Sequence, residues 1–96
     1  MANLDSYFKI LNGRFDEYLE KLRSLLMQPS ISGTGEGIED CATLVKQYIE
    51  EMGGEARPIR YEGHPIVYGV IKGSGESKPL ISYGMYDVQP PGPVDK

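Results

Sequence analysis

The feature that most constrains this chain is an apolar repeat at its start. Leu4, Phe8, Leu11, Phe15, Leu19, Leu22 and Leu26 follow one another at spacings of three and four. That period places them on one stripe of an α-helix and is incompatible with a strand, whose faces alternate every second residue. The spacing therefore predicts one helix from Leu4 to Met27. Glu17 and Lys21 form an i,i+4 pair away from the stripe. Gly13 interrupts the pattern at a cost of about 1 kcal/mol relative to alanine, which marks a local weakness. Pro29 disfavours helical geometry at Gln28 and ends the helix. A stripe of this kind packs into a core; a coiled-coil dimer is the alternative, with barely three heptads to support it.

Pro29 to Gly37 is rich in turn formers and reads as a loop. Its three glycines do not make a phosphate loop, because no Gly-Lys-Ser/Thr follows and the preceding element is a helix. A second helix is expected from Ile38 to Met52, with Thr34 or Glu36 capping it. Its apolar face is Ile38, Cys41, Val45, Tyr48, Ile49 and Met52, and Gly53-Gly54 supplies the left-handed stop. Cys41 lies on that face and reads as a buried, inert thiol. Glu55 to Glu62 reads as an edge strand because of Pro58. Gly63-His64-Pro65 is a turn, and Ile66 to Lys72 is a second strand, apolar on both faces and so expected to be buried. These two strands are close enough in sequence to pair as an antiparallel hairpin. Gly73 to Lys78 is a flexible turn, and Leu80 to Tyr83 is expected as a third strand.

Composition excludes several function classes. The 96 residues carry a net charge of -4 with no basic run, which argues against nucleic acid and anionic membranes as partners. A single cysteine allows neither an intrachain disulfide nor a cysteine-based zinc cluster. Charged residues interrupt the first 26 positions, so no signal peptide is read there, and no run reaches the ~20 apolar residues of a membrane span. A cytoplasmic protein of one small domain is the expectation.

The last strand-like stretch runs into Gly84-Met85-Tyr86-Asp87-Val88-Gln89-Pro90. In open α/β sheets, ligands bind beyond the carboxyl ends of strands, where Asp87 stands. This string resembles the first metal-site motif, Gly-His-x-Asp-Val, of the di-zinc amidohydrolases of peptidase family M twenty. That family includes acetylornithine deacetylase, succinyl-diaminopimelate desuccinylase, carnosinase-like dipeptidases and glutamate-type carboxypeptidases. The resemblance covers nearly the whole chain. A long first helix, Met27-Gln28-Pro29-Ser30-Ile31-Ser32-Gly33, Met52-Gly53-Gly54, Gly63-His64-Pro65-Ile66-Val67-Tyr68 and the Gly84 string occur in the family's order.

The resemblance implies an α/β fold: two N-terminal helices on the first strands of a mixed sheet, an incomplete three-layer zinc-peptidase-like catalytic domain over residues 1–96. It implies the N-terminal part of a zinc-dependent hydrolase acting on a small peptide or N-acyl amino acid through metal-activated water, with this chain inactive alone. In the family, a histidine at the Met85 position ligates zinc and the aspartate matching Asp87 orients that site, so Asp87 is the candidate catalytic residue and Met85 the candidate metal position. The remaining ligands and the general-base glutamate lie later in such proteins. Met85 departs from the pattern. A thioether is neutral and soft, poorly matched to Zn²⁺, and has no N–H for Asp87 to accept. Three readings stay open, of which the first is favoured: a natural variant with one metal or a rearranged pair, a relative without activity, or an engineered or mistaken residue.

Other residues have blander uses. Asp87 alone is a familiar turn aspartate, Met85 a core filler, and His64 a solvent-facing turn residue more readily than a metal ligand. Tyr83 and Tyr86 are packing residues with a wet tip or the lining of a substrate cleft. Against the hydrolase stands a non-catalytic α/β interaction module that pairs through its sheet edge, with self-association or a homodimer expected.

Overall fold

The computed structural model describes residues 4–60, 62–75, 78–90 and Gly92. It is a small α/β protein: three helices followed by a two-stranded antiparallel sheet. Helices α1 (Leu4–Gly13), α2 (Phe15–Met27) and α3 (Ile38–Glu51) precede strands β1 (Glu55–Ile59) and β2 (Ile66–Val70). The hairpin register pairs Glu55 with Val70 and Ile59 with Ile66. Helix α3 lies on one face of the hairpin, and α2 packs on α3.

The expected single N-terminal helix is two, and the break falls one residue after Gly13. Arg14 leaves helical dihedrals at φ -118 and ψ 19. The hydrogen-bond ladder nevertheless crosses it, since Arg14 N–H reaches Ile10 O at 3.0 Å and Tyr18 N–H reaches Arg14 O at 3.0 Å. The interruption is local.

The second helix is where the sequence places it, but not its cap. Gly37 is the N-cap, at φ 73, with no side-chain hydrogen bond to the helix. Thr34 Oγ1 instead accepts Glu36 N–H at 3.2 Å inside the loop. The reason is steric. A Cβ at Gly37 would run into the Pro29 carbonyl, so only glycine brings the loop that close to the helix start. At the other end Gly53, φ 88, makes the left-handed exit, and Gly54 N–H returns to Ile49 O at 3.0 Å.

Alternation along β1 and β2 sorts their side chains. Gly69 is backed by Ile49 of α3, which a Cβ at Gly69 would approach to 2.9 Å, whereas Arg57 lies over the Tyr68 ring on the opposite face. That opposite face is open to solvent, and Ile66, Tyr68 and Val70 are exposed. The expectation of a strand buried on both faces is therefore corrected: one helix covers one face, and no described layer covers the other. Both strands are also shorter than expected, and the Tyr61 end of the first lies outside the described residues.

The third strand is likewise corrected. Leu80 to Tyr83 pairs with nothing, and Leu80 is 94% exposed. A mixed sheet is thus absent among the described residues. The core among them is small: Ile38, Cys41 and Ala42 on α3, with Ser30 and Pro65 also buried. The apolar stripe of α1 and α2 is not in it. α2 turns Tyr18, Lys21, Leu25 and Gln28 toward α3, half-buried, while every stripe residue from Leu4 to Leu26 is exposed.

Candidate functional site

The Gly84–Pro90 string is held by the loop that precedes α3. Ile31 and Val88 form an isolated parallel bridge, with Val88 N–H donating to Ser30 O at 2.8 Å and Ser32 N–H to Val88 O at 3.3 Å. Two side chains add the hairpin turn to this junction. Tyr86 Oη donates to Pro65 O at 2.6 Å, and His64 Nε2 lies 2.8 Å from Ser32 O. A carbonyl only accepts, so the His64 Nε2 carries the proton and, in the neutral ring, Nδ1 keeps its lone pair. Three loops, 30–32, 63–65 and 86–88, are thereby tied together, with Asp87 exposed on the last of them.

Beside the junction lies a cleft of about 690 Å³. Its floor is apolar, with Leu25 from α2, Ile38, Val45 and Ile49 from α3, and Pro65 to Val67 from the hairpin. Its polar groups gather on the segment from Ser82 to Asp87 and on Ser32 and His64. An apolar hollow with a few convergent polar groups is the usual form of a small-molecule site. Asp87 and Met85 both line it and both are exposed, as are Tyr83 and His64.

Cys41 is fully buried, and burial pushes its thiol up from the ordinary value despite the opposing influence of Ser30. Its Sγ points to Tyr86 O at 4.0 Å, so it packs behind the motif. The expectation of a buried thiol holds. Tyr86 is also raised, first by burial and then by its acidic neighbours, Glu39 and Asp87 among them, which keeps its hydroxyl a donor. Outside the cleft lining, Arg60 forks onto Glu39, Nη1 to Oε1 at 2.6 Å with Nη2 on Oε2, and holds that carboxyl below its usual range.

The residues present do not fit a zinc ion. Among the described residues no group of three or more His, Cys, Asp or Glu side chains converges. At the cleft, Asp87 offers one carboxylate, and Met85 offers a thioether where an imidazole or thiolate is needed. His64 shares the cleft but spends one ring nitrogen on Ser32.

Asp87 lines the cleft, but the strand whose carboxyl end was expected to carry it is absent among the described residues. What sequence reasoning missed are the long-range contacts around it. The Tyr86–Pro65, His64–Ser32 and Arg60–Glu39 contacts join residues 21 to 32 positions apart. No local spacing announces such pairs. No protein-family model, no curated protein and no solved structure matches this chain.

Proposed function

We propose that this chain is the N-terminal part of a metal-dependent hydrolase that cleaves peptide or N-acyl amide bonds, of dipeptidase, carboxypeptidase or deacylase type. The observation that carries the reading is the Gly84-to-Pro90 string, in register with four other pieces of the same pattern and with its aspartate on the wall of an apolar cleft. A cleft of that character suits a small peptide or an acylated amino acid, whose apolar part the floor would take. Zinc is the metal this reading expects, with its ligands drawn mainly from outside these residues. Asp87 is assigned to orienting that site. The 96 residues alone are expected to be inactive, and the compartment expected for the protein is the cytoplasm.

A direct test starts with the native protein in its source cells, captured through a peptide such as Ser77 to Lys96. The expected result is a species several times heavier than 10.7 kDa that hydrolyses dipeptides or N-acetyl amino acids and stops when a chelator is added. In that species Asp87→Asn should lower activity about 10- to 100-fold, the usual loss for a residue that orients a metal ligand. Metal-dependent hydrolysis by the 96-residue chain itself, or an inactive intact protein under zinc loading, would count against the proposal.

The second reading, a non-catalytic module that pairs through its sheet edge, draws on the two outer edges of the hairpin and on the unpaired Leu80 to Tyr83. A native species of 10.7 kDa that binds a partner strand and hydrolyses nothing would favour it.

A further inference from the structure

We propose that Tyr86 is the positioning residue of the candidate site: its hydroxyl, donating to Pro65 O, fixes where Met85 and Asp87 stand on the wall of the cleft. Its effect on catalysis rests on the hydrolase reading, whereas its hold on the segment does not.

Burial singles the residue out. From Leu80 to Pro90 every residue is exposed except Tyr86, which is half-buried. Met85 on one side of it is 79% exposed, and Asp87 on the other is exposed as well. Tyr86 is thus the side chain that the body takes in, between two that stand in solvent at the cleft.

Hydrogen bonding singles it out again. Among the described residues, Leu80 to Met85 and the Asp87 carboxylate make no hydrogen bond or ion pair. The ties begin at Tyr86, with its hydroxyl on Pro65 O at 2.6 Å and Cys41 Sγ at 4.0 Å from its carbonyl oxygen. They end at Val88, whose N–H donates to Ser30 O at 2.8 Å and whose O accepts Ser32 N–H at 3.3 Å. Of these contacts, only the Tyr86 hydroxyl reaches the hairpin turn.

The Val88 bridge fixes one residue and leaves those before it their two soft dihedrals each. A second attachment two residues earlier removes most of that freedom, because Asp87 lies between two fixed points and Met85 joins the first. Both receiving loops belong to one body: His64 Nε2 donates to Ser32 O at 2.8 Å, and Pro65 leads straight into β2, where Ile66 pairs with Ile59. Pro65 is buried and its ring fixes φ, so its carbonyl is a stiff acceptor. A phenylalanine would fill the space of the Tyr86 ring. It would lack the tie to the hairpin and leave a partly buried acceptor without its donor.

Tyr86→Phe is therefore the test, since it removes the oxygen and keeps the ring. In the 96-residue chain, amide hydrogen exchange at Val88 and Ser32 should quicken about tenfold, the scale of one partly buried hydrogen bond. The Gly54 amide, bonded to Ile49 O at 3.0 Å, should keep its rate. In the intact hydrolase the same change should lower kcat about tenfold with KM nearly unchanged, and adding it to Asp87→Asn should lower kcat no further, because it acts through that residue. Unchanged exchange at Val88 and Ser32, or a rise shared by Gly54, overturns the positioning role whatever the protein catalyses. Losses that add in the double variant overturn the link to Asp87. Faster exchange at Val88 and Ser32 in a protein without hydrolase activity supports the hold on the segment and refutes the hydrolase reading.

Discussion

At the residue scale, Cys41 and Glu39 give the sharpest tests. Cys41 is fully buried and its thiol is raised by burial. Its reaction with a disulfide reagent at neutral pH should be slowed at least about 100-fold relative to the unfolded chain, because only the thiolate attacks and only an opening exposes it. Equal rates in native buffer and in denaturant would contradict the packing described. Glu39 is depressed first by its hydrogen bonds from Arg60. A depressed carboxyl stabilises the fold above its unfolded value and loses that contribution as pH falls through the folded value. The pair is exposed, so salt screens it. Carboxyl-carbon NMR should show Glu39 titrating below the ordinary glutamate range, and Arg60→Gln should return it upward. An unchanged midpoint would mean that the pair does not form in solution.

At the element scale, three glycines carry the turns and the close packing. Gly37→Ala meets both a left-handed backbone and the Pro29 carbonyl, and Gly53→Ala meets the left-handed backbone alone, since nothing lies within 4 Å of a Cβ there. Gly53→Ala should cost about 1 kcal/mol, and Gly37→Ala about 3 kcal/mol or more, because strain and overpacking add. Gly69→Ala would press on Ile49 at 2.9 Å and push α3 off the hairpin, at about 1–3 kcal/mol. Urea denaturation of the three variants checks the ranking. If Gly37→Ala proved milder than Gly53→Ala, the loop would not approach the helix as described. The helix repeats and the glycine stop after α3 were legible in the sequence because both are local. The cap of α3 was not, because it depends on where Pro29 comes to lie.

At the scale of the whole molecule, the chain is open. Its radius of gyration is 16.3 Å, against about 12.5 Å for a compact domain of this length. Few side chains leave water, so stability from burial is small and anything that covers the exposed faces should add to it by mass action. The melting temperature should therefore rise with protein concentration if copies of the chain pair, and stay constant if they do not. Scanning calorimetry over a hundredfold range of concentration distinguishes these. No helix among the described residues is long and apolar enough to cross a membrane, and the apolar stripe accordingly alternates with charge around the helix.

The sequence by itself determined the elements that short-range physics controls: the helical period of Leu4 to Leu26, the second helix and its glycine exit, the hairpin around Gly63-His64-Pro65, and the burial of Cys41. Only the tertiary structure decided which apolar faces find partners. Leu80 to Tyr83 and Ile66 to Val70 have the composition of buried strands, and the stripe of α1 and α2 has the composition of a core helix, yet all stand largely in solvent. Composition records that a surface prefers burial, whereas burial itself requires a covering layer, and whether one is present is a property of the assembled chain.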